Sequence, residues 1–123
     1  MEIKMSKTDI NNPETMDKVV ELAMYCFSLS LELKKNGFDK AAGKLRDASL
    51  TFYSHLTEGM ESPSGKDFVA AVNLARRSLL ETAGVVILLG QEKLVKEGER
   101  EFLMNELNHL DQTLIEWGLT SLN

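Results

Sequence analysis

Seven positions in the middle of the chain, Phe68, Val72, Ala75, Leu79, Thr82, Val86 and Leu89, follow one another at alternating steps of four and three. That rhythm brings a side chain back to one line along an α-helix at every turn, which is the seam of a helix packed lengthwise on other helices. Three further segments carry related patterns. In the first, Asn12 and Pro13 read as N-cap and first helical residue, and Met16, Val19, Val20, Ala23, Cys26 and Phe27 mark a core face that ends at Lys34 and Lys35, before Asn36 and Gly37. In the second, Asp39 reads as N-cap, and Ala41, Leu45, Ala48, Phe52 and Leu56 lead to a stop near Gly59. Ser62 to Gly65 then break the chain, with Ser64 and Asp67 spaced as a capping box at the head of the central seam, which runs to about Gly90. Beyond a linker containing Leu94 and Val95, the residues Leu103, Leu107, Leu110, Leu114 and Trp117 share one face of a fourth helix. Short connections turn successive helices antiparallel. The expectation is an all-α chain, with a flexible tail over residues 1–12 and one antiparallel up-down-up-down four-helix bundle over residues 13–123.

Composition agrees with a single core. Of 123 residues, 43% are hydrophobic and 27% charged, and only two prolines and eight glycines interrupt the helix formers. The net charge of −5 is unevenly spread: residues 38–90 carry six acids and six bases, whereas residues 91–123 carry seven acids and three bases. An acidic last third repels phosphate backbones and leaves only the middle able to meet one. The single cysteine, Cys26, excludes an intrachain disulfide. The opening MEIKMSKTDI lacks the apolar stretch of a signal peptide, and no uncharged apolar run approaches the length of a membrane span, so a cytoplasmic location is expected.

The chain holds more apolar circumference than a lone bundle hides. Val85, Val86, Ile87, Leu88 and Leu89 are consecutive, and at about 100° per residue five positions go right round a helix. The first helix likewise adds Leu22, Tyr25, Leu29 and Leu33 beside its expected core face. Either the tail or the Leu94–Val95 linker covers this surface, or other copies of the chain do. Self-association is the stronger expectation, with Leu22, Tyr25, Leu29, Val85, Ile87 and Leu88 as the interface.

Candidate chemistry is sparse. A carboxylate-bridged metal pair could draw on Glu106 and His109, on His55 and Glu58, on Glu81, and on Glu21 or Glu32. The histidine and glutamate of the second helix stand in reversed order, and His55 and His109 lie at different levels, so neither a metal nor a cofactor is expected. Cys26 sits in an apolar stretch with no neighbouring base and reads as a structural thiol. GMESPSGK, residues 59–66, ends like a phosphate loop but lacks the following Ser or Thr and the preceding strand. Lys40, Lys44, Arg46, Lys66, Arg76 and Arg77 are the residues that could touch RNA or an acidic protein if assembly gathered them.

The run LRDASLTFYSHLTEG, followed by SPSGKDFVAAVNLARRSLLETAGVVILL, resembles the four-helix-bundle proteins encoded in intervening sequences of bacterial 23S rRNA genes. Arg46, Ala48, Glu58, Gly59, Phe68, Ser78, Leu79 and Glu81 match the motifs of that family. Asp47 replaces its second arginine, His55 its asparagine, and Ala83 and Gly84 its later glutamate and threonine. The family includes accessory variability determinants of diversity-generating retroelements. The resemblance implies a ring-like homopentamer without enzymatic activity, in partnership with a reverse transcriptase or a ribonucleoprotein. RNA binding of the intervening-sequence type is the alternative it implies, and a metal-dependent enzyme a more distant one.

Overall fold

The computed structural model describes residues 13–61 and 65–121. They form four helices, α1 (Pro13–Lys35), α2 (Asp39–Met60), α3 (Gly65–Gln91) and α4 (Glu97–Ser121), arranged as a four-helix bundle. Asn12 and Ser64, the expected N-caps of α1 and α3, lie outside the described residues, as does the expected tail.

All seven residues of the central seam, Phe68, Val72, Ala75, Leu79, Thr82, Val86 and Leu89, are at most 2% exposed and point inward along the whole of α3. Around them pack Leu45, Phe52 and Leu56 of α2, Val19 and Cys26 of α1, and Leu103, Leu107, Leu114 and Trp117 of α4. Thr82 fits this apolar line because its hydroxyl donates to the Ser78 carbonyl oxygen at 2.8 Å, one turn back in its own helix. Ser30, Ser49 and Ser78 are buried on the same terms, donating to the carbonyl oxygens of Phe27, Arg46 and Leu74.

The turns are built by local chemistry. At the end of α1 the Phe38 N–H donates to the Leu33 carbonyl oxygen (2.9 Å) and the Gly37 N–H to that of Lys34 (3.0 Å), with Gly37 at φ +91°. This paired closure needs one left-handed residue, a conformation that glycine adopts without strain. The end of α3 repeats it: Leu94 N–H donates to Leu89 O (2.8 Å) and Lys93 N–H to Gly90 O (3.1 Å). Here the left-handed residue is Lys93, at φ 58°. Because the first closure already takes Phe38, that residue becomes the N-cap of α2, with no side-chain cap. Asp39 is therefore the first helical residue rather than the cap, and its carboxylate lies in the first turn, where the helix dipole favours it.

Two links fix the direction of α4 against α3. Gly90, near the end of α3, lies so close to the Arg100 side chain at the start of α4 that a β-carbon there would collide with it. Arg76, earlier in α3, reaches Asp111, later in α4. The order reverses between the helices, so they run antiparallel. Between α2 and α3 the close approach is at Gly59, where an added β-carbon would stand 3.0 Å from that of Ala71. The pairs α1·α2, α2·α3 and α3·α4 pack backbone close to backbone, whereas α1 meets α4 through long side chains. There the Tyr25 hydroxyl donates to Glu99 Oε2 at 2.5 Å, and the Tyr25 and Phe102 rings pack with centroids 5.5 Å apart.

The inward face of α1 differs from expectation. Leu22, Leu29 and Leu33 are buried with Val19, Ala23 and Cys26, while Phe27 is 40% exposed. At about 100° per residue, the buried stripe is turned some 60° from the expected one. In this orientation Leu22, Leu29 and Leu33 are buried and Tyr25 meets Glu99 and Phe102 of α4.

Candidate functional site

The residues weighed for metal chemistry do not meet. Glu58, Glu81, Glu106 and His109 are exposed, on three different helices, and among the described residues no three His, Cys, Asp or Glu side chains gather. His55 is half-buried, and its Nδ1 is buried without a hydrogen bond, the Glu58 carboxylate standing 3.7 Å away. Cys26 is fully buried, and burial pushes its thiol up to about 11, which suppresses the reactive thiolate. The hydrogen bond to Glu99 raises Tyr25 to about 12, with burial and the Glu99 charge acting in the same direction.

The basic residues are scattered too. Arg76 forms a two-pronged pair with Asp111, Nε to Oδ1 at 2.8 Å and Nη2 to Oδ2 at 3.4 Å, partly buried between α3 and α4. It ties two helices together and is not an available contact for RNA. Lys40 and Lys44 are exposed near the start of α2, while Lys66 opens α3 beside the end of α2, about 30 Å away by helix rise. Arg46 points some 160° round α2 from Lys44 and touches Asp47 at 3.4 Å. Arg77 is exposed on α3. One chain therefore carries no continuous basic patch among these residues.

The surface that remains is apolar. Of the six expected interface residues, Leu22 and Leu29 are only 7% and 6% exposed, because the turned α1 points them into the core of their own chain. They are unavailable to another copy. Tyr25 and Val85 are half-buried against the core, and Ile87 and Leu88 are 40% and 55% exposed. Val95 of the linker is buried and lines a shallow pocket with Ile87, yet Ile87 and Leu88 still face solvent.

Sequence reasoning missed a second apolar strip. Met24, Phe27 and Leu31 of α1 and Leu50 of α2 are exposed, and Val20, Ala23, Met24, Phe27, Leu50 and Tyr53 line a shallow groove between the two helices. The signal was present: Val20, Met24, Phe27 and Leu31 keep a step of four, three and four beside the buried stripe. On α3, Leu74 and Leu80 join Ile87 and Leu88 in facing solvent.

These features define a small helical bundle with an exposed apolar strip on α1 and α2 and exposed apolar side chains on α3. No helix among the described residues is long and apolar enough to cross a membrane. Comparison with protein-family models, curated proteins and solved structures gave no match to this chain.

Proposed function

We propose that this protein is a non-catalytic, homo-oligomeric scaffold or accessory factor. The observation that carries the reading is the exposure of large apolar side chains on two helices that are not close neighbours: Met24, Phe27 and Leu31 on α1, and Leu74, Leu80, Ile87 and Leu88 on α3. Contiguous apolar surface on a small domain marks a place where another macromolecule sits, and the strip of Met24, Phe27 and Leu31, which shares a groove with Leu50 and Tyr53 of α2, is such a surface. The exposed leucines and isoleucine of α3 offer further apolar positions for a partner. The non-catalytic part of the reading comes from the resemblance; the residues weighed for chemistry lie apart, with Glu58, Glu81, Glu106 and His109 exposed on three helices and Cys26 buried in the core.

The resemblance to intervening-sequence and retroelement accessory proteins supplies the class of partner, a reverse transcriptase or a ribonucleoprotein, and a copy number of five. The pairing of Arg76 with Asp111 and the net charge of −5 favour contact with the protein part of such a complex over its RNA. Sedimentation velocity at micromolar concentration tests the assembly. A particle of two or more chains supports it, and a monomer throughout defeats it. Exposing the protein to a reverse transcriptase with its template at increasing salt then separates the contacts: binding to RNA falls steeply with salt, whereas an apolar protein contact does not.

A further inference from the structure

The outer face of α1 is self-complementary. Val20, Met24, Phe27 and Leu31 are spaced by four, three and four, so the line reads the same from either end of the helix. One further step of three in each direction arrives at Asp17 and at Lys34. Met24, Phe27, Leu31, Asp17 and Lys34 are exposed and Val20 is half-buried. Counting inward from the two ends, the acid matches the base, Val20 matches Leu31, and Met24 matches Phe27. Among the described residues, the ion pairs Arg46–Asp47, Arg76–Asp111 and Arg100–Glu97 leave out both Asp17 and Lys34.

We infer that α1 is a two-fold docking face for a second copy of this chain, whose own α1 lies antiparallel across it with the symmetry axis between Met24 and Phe27. In that register Met24 packs on the partner's Phe27, Val20 on the partner's Leu31, and Asp17 faces the partner's Lys34 at both ends. The charges select the direction. A parallel pair would set Asp17 against Asp17 and Lys34 against Lys34, whereas the antiparallel pair joins opposite charges and opposed helix dipoles. A two-fold contact requires one patch to complement itself, which this line does. Leu50 and Tyr53, across the groove on α2, wall the same apolar strip on one side.

The inference rests on the self-association reading and closes at two chains, in place of the five that the resemblance implies. Sedimentation equilibrium tests it with charge exchange at two exposed positions, where folding is not at stake and circular dichroism verifies the helices. The wild type is expected to be a dimer. Asp17→Lys and Lys34→Asp each turn two attractions into repulsions and weaken dimerisation about tenfold. The double variant, and an equimolar mixture of the two single variants, regain wild-type affinity because each again sets a lysine against an aspartate at both ends; in a parallel register the single variants would instead bind no more weakly than wild type and the mixture more tightly.

Single variants as tight as wild type, or a double variant as weak as either single one, overturn the contact. An assembly of any size that ignores all the exchanges removes this contact but leaves the scaffold reading standing, whereas a monomeric wild type removes both. A wild-type monomer that dimerises once residues 1–12 are deleted also overturns it, by showing that the face is covered from within the chain.

Discussion

Helices α1 and α3 are both rich in apolar residues, yet they use them differently. On α3 the four-three seam is buried from Phe68 to Leu89, and its outward apolar residues are separate from it. On α1 the apolar surface spans more than half the circumference, from Leu22 and Leu29 round to Met24 and Leu31. A helix with one apolar line has one way to pack. A helix with two adjoining lines must be oriented by its neighbours, and the line left outside becomes a surface for something else.

The contrast is broken most sharply at adjacent residues of α3. Val86→Asp buries an uncompensated carboxylate in a position with no exposure, a penalty of several kcal/mol against a total domain stability of about 5–15 kcal/mol. The variant is expected to be unfolded by circular dichroism at 25 °C. Ile87→Asp places the same charge in solvent and is expected to keep the helical spectrum and a cooperative melt.

On α1 the pair to compare is Leu22→Ala and Met24→Ala, measured by urea unfolding at a concentration low enough to hold the chain as single copies. Leu22→Ala opens a cavity and is expected to cost about 2–4 kcal/mol, against less than about 0.5 kcal/mol for Met24→Ala. Equal losses would show that the helix sits in a different rotation.

Alkaline titration probes the same helix. Tyr25 and Cys26 keep their protons longer in the folded chain than in the unfolded one, so above pH 9 the unfolded state binds fewer protons and stability declines. The contribution of Cys26 is present below pH 9 and fades as pH rises to about 11, and that of Tyr25 is present below pH 10 and fades towards about 12. Urea midpoints measured from pH 8 to 12 are expected to fall across that window, and Tyr25→Phe to flatten its upper half.

The smallest effect is expected at Lys93, whose left-handed backbone suits glycine better. Lys93→Gly should raise stability by about 1 kcal/mol, seen as a higher melting temperature, without touching either apolar face.

Where one residue pattern had one physical solution, the structure could be read from the sequence. The central seam, the Leu103-to-Trp117 face, the stop at Gly37 and the four helices follow from periodicity and turn chemistry. Asp39 was misplaced by one position because Phe38 is shared between two turns. The orientation of α1 was not legible, since two adjoining apolar lines run along it and its contacts with α4, such as Tyr25 with Glu99 and Phe102, join residues 74 or more positions apart. For the same reason the expected interface mixed two core residues, Leu22 and Leu29, with two that face water, Ile87 and Leu88. The engagement of Arg76 was equally hidden, because Asp111 offers no local hint that it lies opposite.

The reliance of α1 on one close neighbour and on side-chain reach to the other has a dynamic consequence. Lengthwise backbone packing holds α3 on two sides, while α1 packs backbone-close on α2 alone and meets α4 through side chains, the Tyr25 hydroxyl and ring among them. In deuterated water the amides of α1 should therefore exchange through local opening before those of α3. The first helix would peel before the rest of the bundle melts, and anything that clasps its outer face would slow that peeling and so leave a protection footprint along Val20 to Leu31.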